Sequence, residues 1–394
     1  MDPIIILGIL LALLFNFANG LNDAANAIAT IIATKALTPL QAVLLAGVFN
    51  LLGPLLFTTA IAATIGRGIV DPAFLTPTLI LMAMVGAVLW VLATSFLGIP
   101  VSSSHALIGG LLGASIAAAG TGVVLWPSPA LIGQTVFYGL TGAILGAIIT
   151  GVLAHRAGEF RPWNLILGGL IGVTLAIPLA IVTGLLKISG ILAVLIFIAI
   201  SPMLGFISAF VLGILVTHVF RNHPPRRLSR LFRNLQIFSG SLQAIGHGGN
   251  DAQNAMGIIT AMLLAGGLIS EFAVPLWVIL ASSLAISLGT LLGGWRVIDK
   301  MANRITRIRP YQGFAASTAA GGVLSLMNVF GVPVSTTHAT TGAIMGVGAT
   351  RGYSAVKWGV VREILIAWVL TIPAAAVVAG GCYLAARALA GGVF

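Results

Sequence analysis

Long apolar runs broken by short polar clusters make up this chain. Stretches such as Ile4–Phe15 and Leu79–Val91 are continuously apolar. A membrane β-barrel would alternate polar and apolar residues, so the runs predict helices, about 20 residues being needed to cross a bilayer. Spans are expected over residues 3–34, 40–65, 78–97, 129–154, 163–186, 190–219, 235–265, 272–295, 313–330 and 358–389. His105–Ala119 and His338–Gly348 read as helices too short to cross alone. Polar residues and glycine predict breaks at Asn16–Asp23, at the matching place within residues 235–265, at Gly98–Ser104 and at Gly331–Thr337.

Composition agrees. Of 394 residues, 59% are hydrophobic and 7% charged, with mean hydropathy +1.12; soluble proteins carry about 25% charged residues. Cys382 is the only cysteine, which excludes an internal disulfide. The chain is apolar from Pro3 with no basic region before it, so the first helix reads as retained rather than as a cleaved signal. The expected setting is a plasma (inner) membrane, crossed many times, with the lipid bilayer as partner.

Net charge is +11. The basic residues cluster between apolar runs, so they set orientation and imply no nucleic acid. Arg221–Arg233 holds five arginines, two prolines and no acid, and reads as a cytoplasmic linker. Arg67–Pro77 holds one base and one acid; Arg296–Pro310, its counterpart, holds five bases and one acid. If basic loops are cytoplasmic, these counterparts lie on opposite faces, as in an inverted repeat. The fold class is therefore an all-α polytopic membrane protein. About 10–12 transmembrane segments form two inverted-topology repeats, with interrupted helices meeting near the midplane. Residues 1–154 are read as the first repeat, 155–234 as connecting spans and basic linker, and 235–394 as the second repeat.

Two polar motifs each occur twice. Gly20-Leu21-Asn22-Asp23-Ala24-Ala25-Asn26-Ala27 is matched by Gly249-Asn250-Asp251-Ala252-Gln253-Asn254-Ala255. Pro100-Val101-Ser102-Ser103-Ser104-His105-Ala106 is matched by Pro333-Val334-Ser335-Thr336-Thr337-His338-Ala339. A duplicated pair of polar motifs in an apolar chain points to one site built from two halves.

Of eight carboxylates, only Asp23 and Asp251 lie in the repeated motifs, and neither motif contains Lys or Arg. An ionised carboxylate at membrane depth costs several kcal/mol unless paired, so a bound cation is the natural partner. Asp23 and Asn26, and likewise Asp251 and Asn254, are three residues apart and share a helix face. Carboxylate and amide oxygens, with carbonyls freed by a helix break, make a hard oxygen site suited to Na⁺. For a proton the aspartates alone suffice.

In the second motif proline ends one helix and the hydroxyl run starts another. A helix start offers unpaired N–H groups and the positive end of a dipole, a setting that suits phosphate. Bland readings exist for each motif alone: helix-bridging for Asn and Asp, capping for Ser and Thr, backbone satisfaction for His105 and His338. Duplication of both motifs weighs against them. An oxyanion cannot sit beside two unpaired aspartates, so cation and anion sites would depend on one another, which is the basis of symport.

These four motifs resemble the inorganic phosphate transporter (PiT) family, whose signature is Gly-x-Asn-Asp-x-x-Asn-Ala near each end of the chain. The resemblance covers essentially the whole chain and implies import of inorganic phosphate coupled to Na⁺ or H⁺ by alternating access, and a homodimer. It implies that Asn22, Asp23, Asn26, Asn250, Asp251 and Asn254 serve phosphate or ion binding and that Ser102, Ser103, Ser104, Ser335, Thr336 and Thr337 cradle phosphate. With the oxygen-site argument above, Asn22 and Asn250 are read as phosphate ligands and Asp23, Asn26, Asp251 and Asn254 as the sodium site. No resident cofactor is expected; phosphate and sodium are cargo. Animal members carry glutamates where this chain has Asn50 and the Ser317–Thr318 region, and His247 stands where the first half has Asn19. Asn16, Gln243 and Asn328 are further candidate ligands. The alternative is a proton-coupled carrier of phosphate, metal–phosphate or another tetrahedral oxyanion. A channel is disfavoured by paired ion sites in unlike halves. No Gly-x-Ser-x-Gly elbow or Walker motif is present, which disfavours an enzyme and direct use of ATP.

Overall fold

A computed structural model describes residues 2–188 and 190–389. It contains fourteen α-helices and no strand among those residues. In chain order they are α1 (Pro3–Ala33), α2 (Pro39–Leu56), α3 (Ala60–Arg67), α4 (Pro77–Leu97), α5 (Ser103–Ala119), α6 (Pro129–Arg156) and α7 (Pro162–Val182). They continue as α8 (Gly190–Val219), α9 (Pro225–Ala265), α10 (Leu276–Leu292), α11 (Trp295–Asp299), α12 (Pro310–Val329), α13 (Thr336–Ala349) and α14 (Trp358–Leu389). Many begin the same way. An oxygen-bearing cap at Asp2, Thr38, Thr76 or Ser128 accepts from the first turn, and proline follows at once. Proline lacks the N–H that a first turn leaves unpaired anyway, so it starts a helix at no cost.

Seven of these helices are long and apolar enough to cross a membrane, or eight if α10 and the segment Trp295–Arg304, bent by 65°, count as one span. Ten to twelve were expected. The shortfall falls on α9, which carries one of the polar motifs, and on α12: they are 41 and 20 residues, long enough but not apolar enough to pass.

Two of the four expected breaks are absent. α1 runs unbroken through Asn16–Asp23, and α9 through residues 247–255. The glycines there serve contact instead of breakage. A Cβ on Gly20 would meet the Ile286 carbonyl oxygen at 2.1 Å, and one on Gly248 the Asn50 carbonyl oxygen at 2.4 Å. Small residues let α1 press on α10, and α9 on α2, backbone against backbone. Hence no helix break frees the carbonyls that the sodium reading invoked. The basic linker is also shorter than read, since α9 starts at Pro225 and takes in Arg226, Arg227, Arg230 and Arg233. The second span, by contrast, is broken at Phe57–Thr59 into α2 and α3.

The other two breaks are real. α4 ends on Gly98 at φ 68° and α12 is followed by Gly331 at φ 66°, left-handed positions that favour glycine. Extended Pro-Val segments follow, and then α5 and α13. α5 packs between α4 and α14, α13 between α12 and α8. Each short helix is thus held by its predecessor and by a long helix from the other part of the chain. α1 and α9 pack against each other at the centre, with α4 and α10 on α1 and α2 and α12 on α9.

Candidate functional site

α1 and α9 bring Asp23 and Asp251 together, each 1% exposed. An oxygen of each carboxylate and a ring nitrogen of His247 lie within 4.8 Å of one another. His247 sits one turn before Asp251 on α9. Its Nε2 is 3.3 Å from Asp251 Oδ2 and 4.0 Å from Asp23 Oδ2, yet makes no hydrogen bond of good shape. Its Nδ1 lies 3.0 Å from Asn50 Oδ1. The orientation of that amide is set by Thr290, whose hydroxyl donates to the Ile286 carbonyl and so accepts from Asn50 Nδ2 at 2.8 Å. An amide oxygen only accepts. Nδ1 therefore carries a proton, and Nε2 is the nitrogen that faces both carboxylates.

The start of α13 holds the same carboxylates from the other side. Thr336 donates to Asp251 Oδ2 at 3.0 Å, and Thr337 donates to Asp23 Oδ1 at 3.0 Å. Both hydroxyls accept from Asn26 Nδ2, at 3.2 and 3.1 Å. Each threonine thus stands in a chain from amide to carboxylate, in which each bond polarises the next.

The start of α5 is wired differently. Ser103 donates to Asn19 Oδ1 at 2.7 Å, and Ser104 accepts from Asn254 Nδ2 at 2.9 Å. Ser102 and Ser335 cap their own helices by accepting from the backbone N–H of His105 and His338. Outside these, Asn22 Nδ2 donates to Ser95 Oγ at 2.8 Å and Asn250 Nδ2 to Asn328 Oδ1 at 2.9 Å. Ser104, His105, Pro333, Val334 and Ser335 border a cavity of about 10 Å³ between the two helix starts, room for about one water. Beside it the rings of His105 and His338 meet edge to face at 4.9 Å, and His338 stacks on Trp368 at 3.7 Å.

Several buried oxygens in this core have no hydrogen-bond donor: Asn16 Oδ1, Asn22 Oδ1, Asp23 Oδ2, Asn26 Oδ1, Gln243 Oε1 and Asp251 Oδ1. Buried acceptors are nearly always paired, and hard cations are bound by such oxygens.

All twelve sequence-predicted ligands are buried in this one core. The phosphate and sodium sets are not separate, however. Asn26 bonds to Thr336 and Thr337, and Asn254 to Ser104. Asn16 ties α1 to the Ser282 carbonyl at 2.9 Å. Gln243 Nε2 donates to the Asn26 carbonyl at 2.6 Å and to Thr340 Oγ1 at 2.9 Å. Sequence reasoning missed Ser95, Thr290 and Thr340. Ser95 was findable, because it lies five residues before Pro100 as Asn328 lies five before Pro333. Thr290 and Thr340 carry no such signal.

A family model described as "Phosphate transporter family" matches residues 19–164 and 163–379. The chain belongs to this family. It is similar to a probable low-affinity inorganic phosphate transporter of Rhizobium meliloti (strain 1021), 41% identical over 389 residues and 98% of each chain. A Bacillus subtilis (strain 168) protein described in the same words is 35% identical over 389 residues, 97% of this chain and 98% of its own. A solved structure titled "The sodium-dependent phosphate transporter" matches with a TM-score of 0.70 at 27% identity, covering 98% of this chain and 100% of that one. As a member of the phosphate transporter family with several membrane-length apolar helices, the chain is a multi-pass plasma-membrane transporter and not an enzyme.

Proposed function

We propose that this transporter is a symporter that imports inorganic phosphate with sodium by alternating access. The observation that carries the sodium assignment is the set of donorless oxygens around Asp23 and Asp251. Sodium bound there would neutralise the carboxylates, and phosphate could then approach the helix starts of α5 and α13. Each ligand would raise the affinity for the other, as linkage requires. Asp23, Asn26, Asp251 and Asn254 serve sodium in this reading; Asn22, Asn250 and the hydroxyls of Ser102–Ser104 and Ser335–Thr337 serve phosphate, those of Thr336 and Thr337 once sodium has replaced their bonds to the carboxylates. The cavity at Ser104 and Ser335 is about 10 Å³, too small for phosphate, so the two helix starts must part to load it. The name of the similar solved structure supports sodium.

Two inverted repeats, residues 1–154 and 235–394 joined by 155–234, remain our reading of the architecture. The matched bonds of Asn22 to Ser95 and of Asn250 to Asn328 support it. We extend it to a homodimer. Only 17% of the residues in the most apolar stretch of α6 are buried within the chain, which leaves that helix to face lipid or a second copy. Light scattering of the purified protein in detergent measures the assembly.

A second reading has a specific observation in its favour. Nε2 of His247 points at two carboxylates, and an unprotonated nitrogen there would set a lone pair against two anions. A proton on that ring is an alternative coupling ion, for phosphate or for metal–phosphate. Radiolabelled phosphate uptake into proteoliposomes decides between them. An inward Na⁺ gradient at symmetric pH should drive uptake. Uptake driven only by an inward H⁺ gradient without Na⁺ would overturn the sodium assignment.

A further inference from the structure

Away from the buried core, α8, α9 and α12 enclose a second cavity of about 380 Å³ where α8 ends and α9 and α12 begin. Its walls include Arg221 and Arg309. Neither has a carboxylate partner among the described residues. Residues 211–234 and 305–312 together carry seven arginines and no acid. Two arginines lining one cavity in such surroundings call for an anion. Guanidinium binds phosphate oxygens in a planar, two-pronged way.

The rest of the lining is aromatic and aliphatic. Phe220 packs edge to face on Phe232 at 5.3 Å, and Phe232 lies 6.4 Å from Tyr311. A small soluble anion has no use for such walls. α8, which lines the cavity through Val216 and Thr217, also carries an apolar stripe: Val211, Leu215 and Val219, spaced four apart, are 57%, 54% and 56% exposed. The stripe ends at Val219, next in sequence to Phe220 and Arg221, which line the cavity. A charged head at the end of an apolar track matches one ligand class, and basic pockets between spans on the cytoplasmic side take lipid head groups.

We propose that this cavity binds an anionic glycerophospholipid, its phosphate held between Arg221 and Arg309 and an acyl chain laid along Val211, Leu215 and Val219. The site joins the α8 support of α13 to the starts of the two helices that carry Asp251 and Asn328. It is independent of which ion drives transport.

The test is lipid titration of the purified full-length protein in neutral detergent, read by native mass spectrometry. Dioleoyl-phosphatidylglycerol is compared with dioleoyl-phosphatidylcholine, which has the same chains but no net charge. Each basic residue near a membrane surface contributes roughly 5-fold, so the two arginines predict a preference of about 30-fold for the anionic lipid. The double variant Arg221→Gln/Arg309→Gln should lose that preference. The control Arg226→Gln/Arg230→Gln, whose side chains line a different surface pocket, should keep most of it. Equal binding of the two lipids by the unaltered protein would overturn the proposal without any variant. So would a preference that survives the double variant, or one that the control abolishes equally, which would mean a diffuse basic surface. Displacement of phosphatidylglycerol by equimolar inorganic phosphate would also overturn it, since the site would then serve a soluble anion.

Discussion

The starts of α5 and α13 come from matching motifs but spend their hydroxyls differently. At α13 both threonines donate to carboxylates, Thr336 to Asp251 and Thr337 to Asp23. At α5 Ser103 donates to Asn19, and Ser104 accepts from Asn254. The contrast traces to one position. Asn19 offers an acceptor to Ser103, whereas its counterpart His247 turns Nδ1 to Asn50 and Nε2 to the aspartates, leaving Thr336 to bond Asp251 directly. One helix start is therefore bonded to the carboxylates. The other keeps the Ser104 O–H available for an anion.

The largest effect is expected where the comparison meets, at the carboxylates. Asp23→Asn or Asp251→Asn keeps shape but removes the charge that would hold a cation, and it strands no opposite charge in the core. Phosphate uptake should fall by about 100-fold or more while the purified variants stay monodisperse and melt near the parent temperature. Normal cation-dependent uptake in both would end the ion-site assignment.

Next is His247→Asn, which makes the second copy like the first. Asn at 247 cannot carry a proton, so the pH dependence of uptake at fixed Na⁺ should flatten, with sodium-driven uptake kept within about 10-fold. An unchanged pH profile would remove His247 from the coupling and leave proton transfer to the aspartates.

The two helix starts can then be separated directly. Thr337→Val removes a hydroxyl bonded to a carboxylate, worth about 1.5–3 kcal/mol, so the Na⁺ concentration for half-maximal uptake should rise about 10-fold or more. Ser104→Ala removes a neutral donor worth about 1 kcal/mol, so the phosphate KM should rise about 5-fold with the Na⁺ dependence unmoved. If Thr337→Val shifts only phosphate, its bond to Asp23 plays no part in sodium binding; if Ser104→Ala shifts only sodium, that hydroxyl does not meet the anion.

Much of this was legible in the sequence because duplication is a strong signal. Asp23 and Asp251 stood out as acids in apolar runs, and Pro100 and Pro333 marked real helix ends. The errors share a cause. Glycine and asparagine clusters weaken a helix in water, but Gly20 and Gly248 sit where neighbouring backbones close within contact distance, and tertiary packing keeps α1 and α9 helical. Nor does spacing along one helix reveal partners on another. The meeting of Thr336 and Thr337 with both carboxylates depends on how α13 is held by α8 and α12, which no local pattern encodes. The polar character that marked α9 as functional also hid it from a count of apolar spans.

The smallest effect tests whether the outer ties are equivalent. Asn22 donates to Ser95 on α4, and Asn250 to Asn328 on α12. Asn328 does one thing more, donating to the Gly246 carbonyl at 2.8 Å, whereas Ser95 donates to Val91 within its own helix. Asn328→Ser would make the α12 position like that on α4. The serine hydroxyl can still accept from Asn250, so phosphate KM should change by no more than about 3-fold. The bond to Gly246 is lost, at about 1 kcal/mol, and that should appear as a lower melting temperature. A stability loss without a transport loss means Asn250 needs only an acceptor, as Asn22 does. A transport loss at unchanged stability would mean that Asn328 itself meets the cargo, and the two halves would then differ in their ligands as well as in their supports.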